Sequence, residues 1–346
     1  MTRQDLYKEF IKLAPFENAT DDYRDSLSLA LHNVSDVFTQ LEDNEQPEIW
    51  ADVLAKMKKV IKKLKLIALN SYKGLPSTAY TQLNYMMDKQ IHDDLIWCNI
   101  PAQQNFYRMR TFPDRRNGIK FKEMFHIPIT KRRVVGTERY SIPGYPCLYV
   151  GKSSYVCWEE MGRPLMSSCW CSRLQNIVEI SVLDLRIPSE EIFCNNISKY
   201  AIVAPLIIAS MIPMKGKGSD VFKPEYLIPQ LLMEWIIKKN KTGVYYTTTH
   251  LTRQTKLDFD YPEDKYDNLA IPIKMPLANG VENCPKLSKI FEITDPANQE
   301  IESLKHGNGI AMIDADVDPK VSRYDTSSFG FLEKYLCDDY ELHKLN

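Results

Sequence analysis

The chain lacks the features that would tie it to a charged polymer or a membrane. Lys and Arg total 44 against 45 Asp and Glu, so a net charge of -1 supplies no field to gather nucleic acid or an anionic surface. No nucleic-acid partner is expected. The most apolar run, Ala201 to Ile212, falls well short of the roughly 20 residues that cross a bilayer, and it carries Pro205. It reads as buried core, with no membrane partner. Met1 to Lys12 alternates charged and apolar residues without a basic stretch ahead of an apolar one. A secretory signal is therefore not expected, and the address is cytoplasmic. The eight cysteines, from Cys98 to Cys337, show no disulfide-like spacing, which at that address favours free thiols. Cys169 and Cys171 form a C-x-C pair with no His or Cys partner close by, so no metal is expected. Internal repeats and low-complexity tracts are absent too, and the 44% hydrophobic content is that of a folded chain. At 346 residues it has room for two domains.

What is present divides into two textures. Thr20, Asp21 and Asp22 precede Leu27, Leu31, Val34, Phe38 and Leu41, whose spacing marks one face of a helix. A second helix is predicted from Pro47, with Ile49, Val53, Met57, Val60, Ile61, Leu64 and Ile67 inward. The lysines between Lys56 and Lys65 form its solvated face. Lys73 to Ser77 breaks the pattern, and a shorter helix is expected from Thr81 to about Ile91. Residues 1–95 thus read as a small helical domain. Arg24 and His32 stand too far apart there for a nuclease of the higher-eukaryote-and-prokaryote nucleotide-binding type.

After Trp97, short β-branched or apolar runs alternate with Pro and Gly. Strands are expected at Asn105 to Arg110, Cys147 to Val150 and Ile177 to Leu183, and helices at Ser154 to Met161 and Tyr226 to Lys239. The predicted fold class is α+β: an N-terminal helical bundle (1–95), then a domain over 96–346 with a mixed β-sheet and flanking helices. Its motif-bearing core is 106–272.

Three stretches carry candidate chemistry. In Phe106-Tyr107-Arg108-Met109-Arg110, strand alternation sends Arg108 and Arg110 to one face, and two guanidinium forks suit a pyrophosphate. Glu138-Arg139-Tyr140 leads through a Pro143-Gly144 turn to a strand bearing Tyr149. A helix follows, starting at Ser153 or Ser154, on which Glu160 borders the apolar Val156, Cys157 and Trp158. The third stretch runs from a helix around Leu231 to a strand ending in Thr247, Thr248 and Thr249. Lys215 to Asp220 lacks the spacing of a phosphate-binding loop and reads as a basic loop. His126 reads as a structural histidine ahead of a substrate contact.

Together these residues resemble the RES family, named for its Arg, Glu and Ser. The resemblance implies a fold similar to ADP-ribosylating toxins and cleavage of the nicotinamide–ribose bond of NAD+, by glycohydrolysis or phosphorolysis. Arg108 stands at the first family arginine, Arg139 and Tyr140 resemble the Arg-Trp pair, and Tyr149 matches the strand tyrosine. Glu160 takes the family glutamate, with Glu159 one residue off as runner-up. Thr248 falls nearest the family serine, ahead of Ser189, and departs from it by a methyl group. The implied catalytic set is Glu160, Arg108 and Thr248; the implied substrate-binding set is Arg110, Arg139, Tyr140 and Tyr149. Glu160 would hold a ribose hydroxyl and offset the positive charge of an oxocarbenium-like transition state. Arg108 and Arg139 would clamp the diphosphate, Tyr140 would stack on a ring, and Thr248 would bond nicotinamide or its ribose. An antitoxin or activating partner is implied, as is self-assembly through the helical domain. ADP-ribosyl transfer to protein and NAD binding without turnover are the rival functions. The N-terminal helices, the segment Arg115 to Arg133 and the tail after Lys274 lie outside the resemblance.

Overall fold

The computed structural model describes residues 1–14, 20–41, 47–112, 119–218, 220–250, 261–274, 282–298, 300–302 and 323–345. The start of the inserted segment (115–118) and much of the tail after Lys274 lie outside the described residues. Four helices come first: α1 (Arg3–Ile11), α2 (Tyr23–Thr39), α3 (Pro47–Tyr72) and α4 (Pro76–Tyr85). Strands β1 (Trp97–Ile100), β2 (Asn105–Thr111) and β3 (Cys147–Gly151) lead to α5 (Ser154–Glu160), followed by β4 (Cys169–Asn176) and β5 (Ile180–Leu185). Then come α6 (Glu190–Asn195), α7 (Ile197–Ser210), α8 (Leu227–Lys238), β6 (Val244–Thr247) and β7 (Asp267–Pro272). After these lie α9 (Pro285–Ser288), β8 (Phe291–Thr294), α10 (Ser328–Asp338) and β9 (Leu342–Lys344). Helices and strands in this order, with a helical N-terminal region, are the α+β class that the sequence predicts.

The chain forms two compact units, each assembled from three separated pieces. The first comprises 1–98, 136–143 and 183–249. In it the Asp22 side chain accepts the Arg24 backbone N–H at 2.7 Å and starts α2. The predicted face of Leu27, Leu31, Val34, Phe38 and Leu41 is buried. On α3, Val53, Met57, Val60, Leu64 and Ile67 are buried, but Ile49 is 56% exposed. Its neighbour Trp50 takes the inward direction instead and donates its indole N–H to the Leu41 carbonyl at 3.0 Å. Helix α4 begins at Pro76, five residues before the expected start: proline suits a first helical turn, where the missing N–H has no partner to lose. The apolar run of the sequence is core, since every residue of α7 from Tyr200 to Ser210 is buried, against α2, α3 and α8. Strand β6 runs parallel to the end of β5, with Leu183 opposite Val244 and Leu185 opposite Tyr246. Among the described residues no helix is long and apolar enough to cross a membrane.

The second unit comprises 99–135, 144–182 and 250–346. Its strands lie in the order β7-β3-β2-β4-β8-β9 and are antiparallel at each pairing. β2 pairs with β4 along its whole length, from Asn105 opposite Gln175 to Thr111 opposite Cys169. Against β3 its one register pair among the described residues is Tyr107 opposite Gly151, so the two strands part beyond that point. β3 pairs instead with β7, ending at Gly151 opposite Asn268.

Helix α5 sits down on this junction because Gly151 has no side chain. A Cβ there would lie 2.4 Å from Val156 Cγ1 and 2.8 Å from Cys157 Sγ. With the glycine, the Cys157 thiol comes within 3.1 Å of the Tyr107 carbonyl, to which it donates. On its other side α5 is covered by α10 and an aromatic group that includes Tyr155, Tyr266, Tyr324 and Phe329. A buried carboxylate from α10, Glu333, accepts the Ser154 backbone N–H at 2.6 Å and the Ser154 hydroxyl at 3.0 Å. The Tyr324 hydroxyl also donates to it, and Lys265 Nζ lies 3.5 Å from its second oxygen.

Candidate functional site

Alternation along β2 decides where its arginines go. Tyr107 and Met109 turn into the apolar cluster with Cys157, Cys171, Leu332 and Leu336; Arg108 and Arg110 turn the other way. Because β3 has parted from β2, Arg108 reaches across and donates from one terminal nitrogen to the Tyr149 carbonyl at 2.8 Å. Its Nε is buried with no hydrogen-bond partner among the described residues. No described carboxylate forms an ion pair with it. Burial, with Arg110's charge added, pushes the guanidinium down to about 10, so it remains cationic at neutral pH. Arg110 donates to the Glu123 carbonyl and lies over the Phe112 ring, 5.2 Å from its centroid.

The two adjacent glutamates of α5 have different surroundings. Glu159 is 3% exposed, and both its oxygens accept from Arg163 Nε, at 2.9 and 3.1 Å. That pair belongs to the turn that ends α5, where Gly162 (φ 76°) and Arg163 (φ 58°) are successive left-handed residues. Glu160, by contrast, keeps its side chain 29% exposed. Its Oε1 accepts from Asn268 Nδ2 at 2.8 Å, and His250 Nε2 lies 3.5 Å from its Oε2. Among the described residues no hydrogen bond or ion pair joins Glu160 to Arg108. By the alternation of β2 the Arg108 side chain leaves the sheet on the face opposite to the one that α5, with Glu160, covers; in charge terms Arg108 eases ionisation of the Cys157 thiol and Glu160 opposes it. Burial outweighs both and pushes the thiol up to about 12, which leaves it protonated and unsuited to nucleophilic attack.

Three sequence candidates belong to the first unit. Arg139, 7% exposed, donates to the Ser210 and Ile212 carbonyls at 3.0 and 3.1 Å and to the Thr249 hydroxyl at 2.7 Å. Its guanidinium lies 4.9 Å from the centroid of the Tyr226 ring. These bonds satisfy carbonyls at the end of α7. Tyr140 is fully buried, 4.7 Å from the Tyr246 ring centroid. Thr248 is buried one residue past the end of β6. The hydroxyl touching Arg139 is therefore that of Thr249, which the sequence does not distinguish from its neighbours. Arg108, Arg110, Tyr149 and Glu160 belong to the second unit.

Other candidates resolve simply. His126 is buried; its Nε2 accepts the Cys284 backbone N–H at 2.8 Å, and its Nδ1 lies 2.9 Å from the Ile127 carbonyl, to which it donates in that tautomer. Both ring nitrogens are occupied, as expected of a structural histidine. Burial, helped by Arg108's charge, lowers its pKa, so the neutral ring is the native form. A histidine whose folded pKa is depressed contributes stability in full above its unfolded value of about 6.5, and that contribution is lost as pH falls below it. The urea midpoint is accordingly expected to fall between pH 7.5 and 5.5, and to fall less in His126→Gln. Equal slopes in the two proteins would remove His126 from this effect. In the basic loop, the Lys217 backbone N–H donates to Asp220 Oδ2 at 2.7 Å; position 219 lies outside the described residues. Cys169 and Cys171 are buried in the same apolar cluster as Cys157. Among the described residues no group of three His, Cys, Asp or Glu side chains is arranged to hold a metal.

Sequence reasoning missed Asn268, His250 and Glu333. Asn268 sits in an otherwise ordinary strand, and Glu333 in an ordinary amphipathic helix, so only the three-dimensional pairing singles them out.

Over 241 residues the chain is 34% identical to a Bacillus subtilis (strain 168) protein named "Putative toxin YopC". The match covers 63% of this chain and 52% of that protein, so the chain spans about half the length of the curated relative it matches. No protein-family model matches the chain, and no solved structure matches it. Similarity to a protein of the toxin class is what these comparisons establish.

Proposed function

We propose that this protein is a toxin-class enzyme of RES type, which cleaves the nicotinamide–ribose bond of cytoplasmic NAD+. The observation that carries the proposal is Arg108, a half-buried arginine whose buried Nε has no hydrogen-bond partner among the described residues and whose charge no described carboxylate answers. Such a group costs stability in a fold that makes no use of it. A diphosphate supplies both the negative charge and the acceptor oxygens that a guanidinium fork takes.

Glu160, which α5 holds on the sheet face opposite the Arg108 side chain, is the carboxylate proposed to act at the sugar. As the bond from the anomeric carbon to nicotinamide breaks, the electron pair leaves with neutral nicotinamide and positive charge grows on the ribose. The carboxylate offsets that charge more in the transition state than in the ground state, which lowers the barrier. An oxygen of water or phosphate bonds to the anomeric carbon as the bond to nicotinamide breaks, and the proton it carried passes to solvent. Arg110 and Tyr149, in the same unit as Arg108 and Glu160, complete the proposal. A neutralising or activating partner, and self-assembly through the N-terminal helices, belong with it.

The similarity to a toxin-named protein supports the class, and the conversion of NAD+ is tested directly. Purified protein incubated with labelled NAD+ is expected to release nicotinamide and free ADP-ribose, or its phosphate ester when phosphate is supplied. Label on polypeptide would instead mean ADP-ribosyl transfer. A raised melting temperature with NAD+ but no nicotinamide would mean a binding module.

A further inference from the structure

We propose that Asn268 is a positioning residue that holds the Glu160 carboxylate aimed; the inference rests on the role given to Glu160 above. Asn268 lies in a row across three strands, opposite Gly151, which is itself opposite Tyr107. Side chains in such a row share one face of the sheet, the face that α5 covers. The amide is 4% exposed, and its Nδ2 donates to Glu160 Oε1 at 2.8 Å.

Two kinds of restraint converge on that carboxylate. The backbone beneath it is fixed: Gly151 lets α5 settle against β3, while the Glu159 and Arg163 pair locks the left-handed turn that follows Glu160. The Asn268 bond fixes the carboxylate head at Oε1, and His250 Nε2 lies 3.5 Å from Oε2.

Three proteins test the proposal: wild type, Asn268→Ala and Asn268→Asp. With NAD+ as substrate, Asn268→Ala is expected to lower kcat on the order of 10- to 100-fold, the usual scale for a group that orients another. KM should stay within about twofold if, as for interactions made only in the transition state, the loss falls on kcat. Asn268→Asp preserves shape and keeps the test open should the alanine variant not fold. It sets a second carboxyl against Glu160, so the pair shares a proton and the acid limb of the kcat profile should move up by about one pH unit or more. A folded Asn268→Asp protein with wild-type kcat and an unmoved acid limb would overturn the proposal while leaving Glu160 in place. Wild-type protein that releases no nicotinamide overturns the role of Glu160 itself, and this inference with it; that result is visible before either variant is made.

Discussion

Glu160→Gln is expected to reduce nicotinamide release by on the order of a hundred- to a thousandfold, the scale on which a directed charge contributes to a transition state. The amide is nearly isosteric with the carboxylate, and its oxygen can still accept from Asn268. What disappears is the negative charge, and with it the ion pair open to His250. With 29% of the Glu160 side chain exposed, that pair is well solvated, and such pairs contribute about 0–1 kcal/mol to stability. The melting temperature should therefore move by only a few degrees. Glu159→Gln is the control with the opposite signature, because it removes the charge and one of the two accepting oxygens that a buried carboxylate presents to Arg163: stability should drop while the chemistry is affected only through the fold. Chromatographic detection of nicotinamide, read beside calorimetry, separates the two. Undiminished release from folded Glu160→Gln protein would remove that residue from the reaction.

Arg108→Met should weaken NAD+ binding about 10- to 100-fold, since hydrogen bonds to a charged group contribute roughly 1.5–3 kcal/mol. The same substitution should leave the protein melting no lower than wild type. Among the described residues Arg108 gives one side-chain hydrogen bond, to the Tyr149 carbonyl, while its Nε is held out of water without a partner and its charge is half-buried. Methionine fills similar space without either cost, so the balance favours the variant. Titration calorimetry with NAD+ and a thermal scan give the two numbers. A large fall in melting temperature with binding intact would make Arg108 a structural residue.

The local elements were legible where a single period governs them. The α2 face from Leu27 to Leu41 could be counted off, as could β2 and α5, because burial there follows 3.6- and 2-residue periods. Ile49 misled because the period allows either it or Trp50 to face inward, and the larger indole with a donor wins. The start of α4 was hidden by Pro76, which breaks a helix interior but opens a helix. The units themselves could not be read: α7 and α8 pack with the N-terminal helices although more than a hundred residues separate them in the chain, and linear texture carries no record of that. Among candidate site residues, the sequence ranked Glu160 ahead of Glu159 through the resemblance alone. What makes their surroundings differ is Arg163, whose left-handed backbone returns it to Glu159, and Asn268, more than a hundred positions away from Glu160. Burial of Arg108 was equally invisible, because the parting of β2 from β3 is a property of register.

The contact between Glu333 and the first N–H of α5 spans 179 residues of chain. During synthesis, a ribosome that has finished the helix bearing Glu160 must add nearly half the protein again before that N–H meets its acceptor. Until then the helix start has no acceptor from α10, and the aromatic cover supplied by Tyr324 and Phe329 does not yet exist. A producing cell thus carries α5 without its support for about half of the time it takes to make the chain, and a polypeptide truncated before Glu333 cannot gain that support at all.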